Sequence, residues 1–110
     1  MSPRRFAEHL EPPYYAVVFT SQRTPGDVGY GEFSDLMEAL ATQQPGFLGA
    51  ESVRSPDGFG ITVSYWRSEE AIAAWRAHAE HRVAQQTGKD RWYKHYEVRV
   101  ARVERGYRGP

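Results

Sequence analysis

Two histidines three residues apart, His78 and His81, follow Trp75 in a stretch that reads as a helix. Imidazole is the side chain whose ordinary pKa lies nearest neutrality, so either histidine suits a general base. Trp75 stands three positions before His78, about 60° round a helix, so a stacking ring and a base would share one wall. His81 lies three positions further on, well round from the apolar stripe of Ile72, Ala79 and Val83. The same spacing also suits two solvent-facing helix histidines. No carboxylate stands at a clear ligand spacing from the pair, so no metal site is read from it. Trp66, Trp92 and Tyr96 add large rings, and with three Trp and seven Tyr the chain holds more than a small core needs. They would line a pocket for a flat ligand, or else serve as core. Thr62 and Ser64 alternate with Trp66 and offer hydroxyls to a ligand or to an interface. His95, Glu97 and Arg99 alternate likewise, as a charged site wall or as a cross-strand ladder.

Composition removes several alternatives. A chain of 110 residues holds one domain. Fourteen Lys and Arg balance fourteen Asp and Glu, so no charge excess points to nucleic acid or an anionic membrane. With no cysteine there is no disulfide, thiolate metal site or Cys nucleophile. The apolar runs are too short to span a bilayer. Residues 1–11 are charged and lack the apolar run of a secretory signal, so a cytoplasmic protein is expected. Gly58-x-Gly60 precedes a strand instead of opening a helix, which argues against a dinucleotide fingerprint. Neither a Gly-x-Ser-x-Gly nor a phosphate-binding loop motif occurs.

The elements that must position these residues are legible. A polar lead-in, 1–13, ends in Pro12-Pro13, and the domain proper spans 14–107. Residues 14–20, YYAVVFT, are β-branched and aromatic and predict a strand that is apolar on both faces. Residues 21–29 carry Pro25-Gly26 and predict a loop. Phe33, Leu36, Met37, Leu40 and Ala41 form one helical stripe, predicting a helix over 30–44 that Pro45-Gly46 stops. Residues 47–53 and 60–66 predict strands joined by a turn at Ser55-Pro56-Asp57-Gly58. Ser68 is a good N-cap, with Glu69 and Glu70 in the first turn, for a helix running to about 87 and ended by Gly88. Residues 93–103 predict a long strand with Tyr96, Val98 and Val100 on its apolar face. The order β-α-β-β-α-β predicts an α+β, ferredoxin-like fold: a four-stranded antiparallel sheet with both helices on one face. A first strand apolar on both faces needs cover on the other side too. The expected cover is a second copy, giving a homodimer packed sheet against sheet.

Several words of the sequence resemble the antibiotic biosynthesis monooxygenase (ABM) family over about 14–107. They are Gln44-Pro45-Gly46-Phe47-Leu48-Gly49 and Tyr65-Trp66-Arg67-Ser68-Glu69-Glu70-Ala71-Ile72 with Trp75. Glu80-His81, Ala84-Gln85, Trp92-Tyr93 and Tyr96 then resemble one branch of it. The resemblance implies a dimeric α/β barrel and a cofactor-independent monooxygenase acting with O2 on a small flat aromatic or quinol-type molecule. Under it, His78 or His81 is the base, and Trp66, Trp75 and Tyr96 hold the substrate. Thr20 or Ser21, where the family places a polar residue of the first strand, supplies a hydrogen bond. No metal or organic cofactor is implied. In the haem-degrading branch, a matching Trp precedes the iron-binding histidine by ten positions, and an Asn ends the first strand. Here those places read Gln85 and Phe19-Thr20-Ser21-Gln22, and an amide is a poor axial ligand. Haem degradation is therefore the alternative, and a non-catalytic dimer that binds a small molecule is a third reading.

Overall fold

β-branched and aromatic runs form the strands, an apolar stripe marks the first helix, and a serine cap starts the second. The order is β1 (Tyr14–Arg23), α1 (Tyr30–Thr42), β2 (Phe47–Arg54), β3 (Phe59–Trp66), α2 (Glu69–Thr87) and β4 (Tyr93–Val103). The computed structural model describes residues 6–25, 29–87 and 92–110, with the backbone alone over 83–87. The strands make one antiparallel sheet in the order β2-β3-β1-β4. This is the expected α+β ferredoxin-like arrangement. Gly26, Gly88 and the side chains of Val83 and Gln85 lie outside the described residues.

The largest departure from the expected boundaries is at the end of β1. β1 continues three residues beyond Thr20, so the segment read as a loop from Ser21 begins as strand. Ser21 pairs with Gly60 and Tyr96, and Gln22 pairs with Phe59 and His95. The Arg23 N–H then donates to the Gly58 carbonyl at 3.0 Å. A central strand continues while a ladder on each side takes up its backbone groups, whatever its side chains prefer.

The local punctuation works as expected. Ser68 Oγ accepts from the Ala71 N–H at 3.1 Å, capping α2. Gly46 has φ +86°, and a Cβ there would lie 2.7 Å from the Cβ of Ala71. Only glycine lets the chain turn from α1 into β2 against the first turn of α2. At the β2–β3 turn Gly58 takes φ +93°. The Asp57 carboxylate accepts from Ser55 Oγ and from the Phe59 N–H.

Strand pairing sorts the side chains. Val17, Phe19 and Ser21 share a face with Thr62, Ser64, Trp66, Tyr96, Val98 and Val100. Trp66 meets Trp75 of α2, so this is the inner face, under the helices. Ala16, Val18 and Thr20 share the outer face with Ile61, Val63, Tyr65, His95, Glu97 and Arg99. Phe33, Trp66, Ile72 and Trp92 are buried on the helix side. The helices lean on β2 and β3, and Tyr96, Val98 and Val100 of edge strand β4 stay about half exposed. On the outer face Val53 (72%), Phe59 (47%) and Ile61 (38%) are exposed. No helix among the described residues is long and apolar enough to cross a membrane.

The lead-in crosses part of that outer face. The Ala7 N–H donates to Glu51 Oε2 at 2.9 Å, and the Tyr65 hydroxyl donates to Oε1 at 2.7 Å. Burial, then the hydrogen bond and charge of Glu51, push the Tyr65 phenol from 10.0 up to about 12. The unfolded chain therefore ionises this tyrosine first. Its contribution to stability is complete below pH 10 and falls away between pH 10 and about 12. Phenolate absorbance should show a tyrosine that titrates late, and Glu51→Gln should bring it part of the way back, since burial remains. A Tyr65→Phe curve lacking no late component would contradict this. On the same face, at the β4 edge, Glu97 contacts His95 at 3.0 Å and Arg99 at 2.7 Å, and these partners hold its carboxyl below the usual range. The row is exposed and faces away from the helices, and its ion pairs run along β4 itself and not across to a neighbouring strand.

Candidate functional site

The chain turns from β3 into α2 across only Arg67 and Ser68, and this brings Trp75 back over Trp66. Trp66 is fully buried. Its ring meets Phe47 edge-on at 5.3 Å and lies within 24° of parallel to Trp75 at 6.1 Å. Its Nε1–H donates to Ser64 Oγ at 2.9 Å, two residues back on the same face. Trp75 in turn stacks on His78, at 5.8 Å and 24°. Three flat rings thus run in a row from the sheet along α2. His78 Nε2 is buried and has no hydrogen-bond partner among the described residues. A buried polar atom left unpaired costs about 1–3 kcal/mol, so a ligand that completes its bonding gains by that amount.

A second ring cluster stands at the other end of the inner face. Trp92 packs on Phe33 at 4.6 Å and on Tyr30 at 5.9 Å. Phe19 touches both Tyr93 and Tyr96 at 5.4 Å. The Tyr30 and Tyr93 hydroxyls lie 3.0 Å apart. Burial chiefly, then the Tyr30 hydrogen bond, push the Tyr93 phenol well above its ordinary value, against the pull of Arg54 and Arg23. Arg54 Nη2 donates to Ser21 Oγ at 3.0 Å and to Tyr30 Oη at 3.4 Å. The Arg23 guanidinium lies 3.3 Å from the centre of the Tyr30 ring.

The sequence-derived candidates therefore separate. Trp66, Trp75 and His78 come together. His81 is exposed and stands outside the stack. Tyr96 and Trp92 belong to the second cluster. Ser21 is buried on the inner face, with its hydroxyl engaged by Arg54. Thr20, one residue earlier, lies on the opposite face beside Ile61 and Glu97, because alternation along a strand reverses the side. Thr62 shares a hydrogen bond with Ser52 at 2.7 Å. Arg54 and Tyr30 are not among the sequence-derived candidates, and Tyr93 enters there only through the family resemblance. One signal was present: Gly60 inside β3, where a Cβ would lie 2.8 Å from the Arg54 Cζ. An isolated strand glycine often marks such a close approach.

Among the described residues no three His, Asp or Glu side chains gather into a metal-binding group. At position 85, ten beyond Trp75, the chain carries an amide, a poor axial ligand for haem iron, and the unpartnered imidazole of this stretch is His78, two turns earlier on α2.

This split βαβ arrangement is that of a known class of small domains. The chain is a member of the antibiotic biosynthesis monooxygenase family, whose model matches residues 31–87. It is 58% identical over 95 residues to the uncharacterized protein YqjZ of Bacillus subtilis, covering 86% of this chain and 83% of that one. It is 29% identical over 94 residues to the jasmonate monooxygenase ABM of Pyricularia oryzae. That match covers 81% of this chain but only 43% of the fungal protein. Among solved structures, a variant of SnoaB, a cofactor-independent oxygenase from Streptomyces nogalater, superposes with TM-score 0.69 at 12% identity, covering 84% of this chain and 95% of that one. A variant of MhuD holding manganese protoporphyrin IX superposes with TM-score 0.64 at 19% identity, covering 86% and 99%. At these identities the two superpositions show a shared fold.

Proposed function

We propose that this protein is a cofactor-independent monooxygenase that oxidises a small flat aromatic or quinol-type molecule with O2. The observation that carries the reading is His78: a base stacked on Trp75, with a buried Nε2 that has no partner among the described residues. A phenolic hydroxyl of the substrate supplies that partner and then its proton. Trp75 holds the substrate ring by stacking, on a surface that Trp66 fixes from below. The resulting anion is electron-rich and passes one electron to O2, and the radical pair combines at carbon. Loss of water leaves one oxygen atom in the product as a carbonyl and the other in the water. The substrate supplies both electrons and both hydrogens, so the scheme calls for no metal or organic cofactor. Ser21 acts through Arg54 by fixing its guanidinium, and Tyr96 offers a half-exposed ring at the β4 side. Within the same reading the protein is a homodimer whose outer sheet faces meet, covering Val53, Phe59 and Ile61.

Oxygen uptake by the purified full chain, measured with a panel of quinols and anthrones, tests the chemistry, and sedimentation tests the dimer. Uptake with product oxygen derived from labelled O2, catalysed by a dimer, is expected. A flat trace across the panel favours a binding protein. A monomer removes the sheet-to-sheet pairing.

A further inference from the structure

We infer that the N-terminal lead-in is an arm that clasps a second copy of this chain, with Phe6 of each copy seated on the Val53, Phe59 and Ile61 patch of the other. The inference rests on the homodimer reading above and adds to it the element that holds the two copies and the way their sheets face.

The arm divides the outer face into two ends. Ala7 is tied through its N–H to Glu51 of β2 at 2.9 Å, and it lies over Gly49, where a Cβ would stand 3.4 Å from its own. The chain then runs on to Tyr14, whose ring meets Tyr65 edge-on at 5.8 Å. That end is covered. The other end begins two residues further along β2, about 7 Å away at strand spacing, and Val53, Phe59 and Ile61 lie bare there. Phe6, one residue before the tether, is 79% exposed, so the arm does not close over its own patch. One face thus carries both a projecting ring and an apolar area for such a ring to cover. A two-fold dimer satisfies both at once, because residue i of one copy meets j of the other while j meets i. The bare patch by itself falls short of the roughly 800 Å² per partner that a stable interface buries. A seated aromatic ring adds about 150–250 Å² from each copy.

The strand register places the axis. Glu51, Val63, Val18 and Arg99 stand in one row across the outer face, and Val53, Ile61, Thr20 and Glu97 stand two residues along in a second. A two-fold axis between the facing sheets, crossing the strands midway between these rows, lays each row on the other row of the second copy. This exchange sets the tethered end of one copy, with Phe6, against Val53 and Ile61 of the other. It also sets Glu97 against Arg99 of the second copy, and Arg99 against Glu97. The β4 charges are therefore complementary to themselves under the same axis that the arm requires, which favours another copy of this chain over a foreign partner. Both side chains are more than half exposed and long enough to meet between sheets packed about 10 Å apart.

The full chain has no cysteine, so introduced thiols report contacts without background. When Phe6→Cys and Val53→Cys chains are mixed in equal amounts and oxidised, the disulfide-linked heterodimer is expected well above the half that random pairing gives. By sedimentation equilibrium, Phe6→Ser should raise the dimer Kd at least about tenfold, and the exposure of Phe6 in the protomer separates that loss from unfolding. Glu97→Arg should weaken the dimer as well, and adding Arg99→Glu in the same chain should restore it. Random disulfide pairing, a Kd unchanged in Phe6→Ser, or no rescue by Arg99→Glu would overturn the clasp, while a dimeric parent chain keeps the sheet-to-sheet reading. A monomeric parent chain overturns both.

Discussion

His78→Ala is expected to lower kcat/KM for oxygen uptake by about 10²–10⁴-fold, the usual contribution of a positioned general base. The expectation rests on two features of one side chain. Its ring is aligned on Trp75, and its Nε2 is buried with no partner among the described residues, while the neighbouring His81 is exposed. A base works through geometry first, and only His78 lies in the row of rings on which a flat substrate would stack. His81→Ala is thus expected to keep most of the rate. The loss in His78→Ala should fall on kcat more than on KM, since Trp75 still binds the ring. Trp75→Ala should do the reverse and raise KM. Circular dichroism of each variant separates these effects from unfolding. Full activity in His78→Ala, or its loss in His81→Ala alone, would move the base elsewhere.

Trp66→Ala is expected to cost about 3–5 kcal/mol of stability, read as a shifted urea midpoint with an unchanged slope. Trp66 is fully buried, touches Phe47 and Trp75, and has its indole N–H bonded to Ser64. Truncation leaves a ring-sized cavity between sheet and helix. Against a typical total of about 5–15 kcal/mol, that is a large share. Trp66→Phe keeps most of the buried ring and loses the indole donor, so its cost is smaller. The two residues are also coupled to the site. Trp66 supports Trp75, and Trp75 aligns His78, so Trp66→Phe should lower oxygen uptake under conditions where the variant is still folded. A Trp66→Ala variant within about 1 kcal/mol of the parent would mean that the surrounding residues close over the gap.

The ring stack and the Arg54 network make separate demands on the fold. The stack needs α2 to be seated on β3, and the network needs the β2–β3 turn to be closed against β1. Both rest on glycines with a steric duty. Gly46 lets α2 approach the start of β2, and Gly60 lets Arg54 cross β3.

Much of the molecule was determined by the order of its residues alone. Period-two alternation in 60–66 and 93–103 sorted Trp66 from Tyr65 and Val98 from Glu97, because side-chain direction in a strand is a local property. Ser68, the Pro45-Gly46 pair and the Ser55–Gly58 turn marked boundaries through bonds and torsions only a few residues long. Trp75 and His78 could be put on one helix wall for the same reason. What depended on chain segments brought together from afar was decided only by the tertiary structure. β1 passes through Ser21 to Arg23 because β3 and β4 supply partners on both sides. Ser21 rather than Thr20 faces the helices because of that register. His78 rather than His81 joins the rings because Trp75 docks on Trp66 and so sets the rotation of α2. The Arg54, Ser21, Tyr30 and Tyr93 network joins residues 24 to 63 positions apart. Such contacts have no local signature, since their energy is gained only after the sheet has closed.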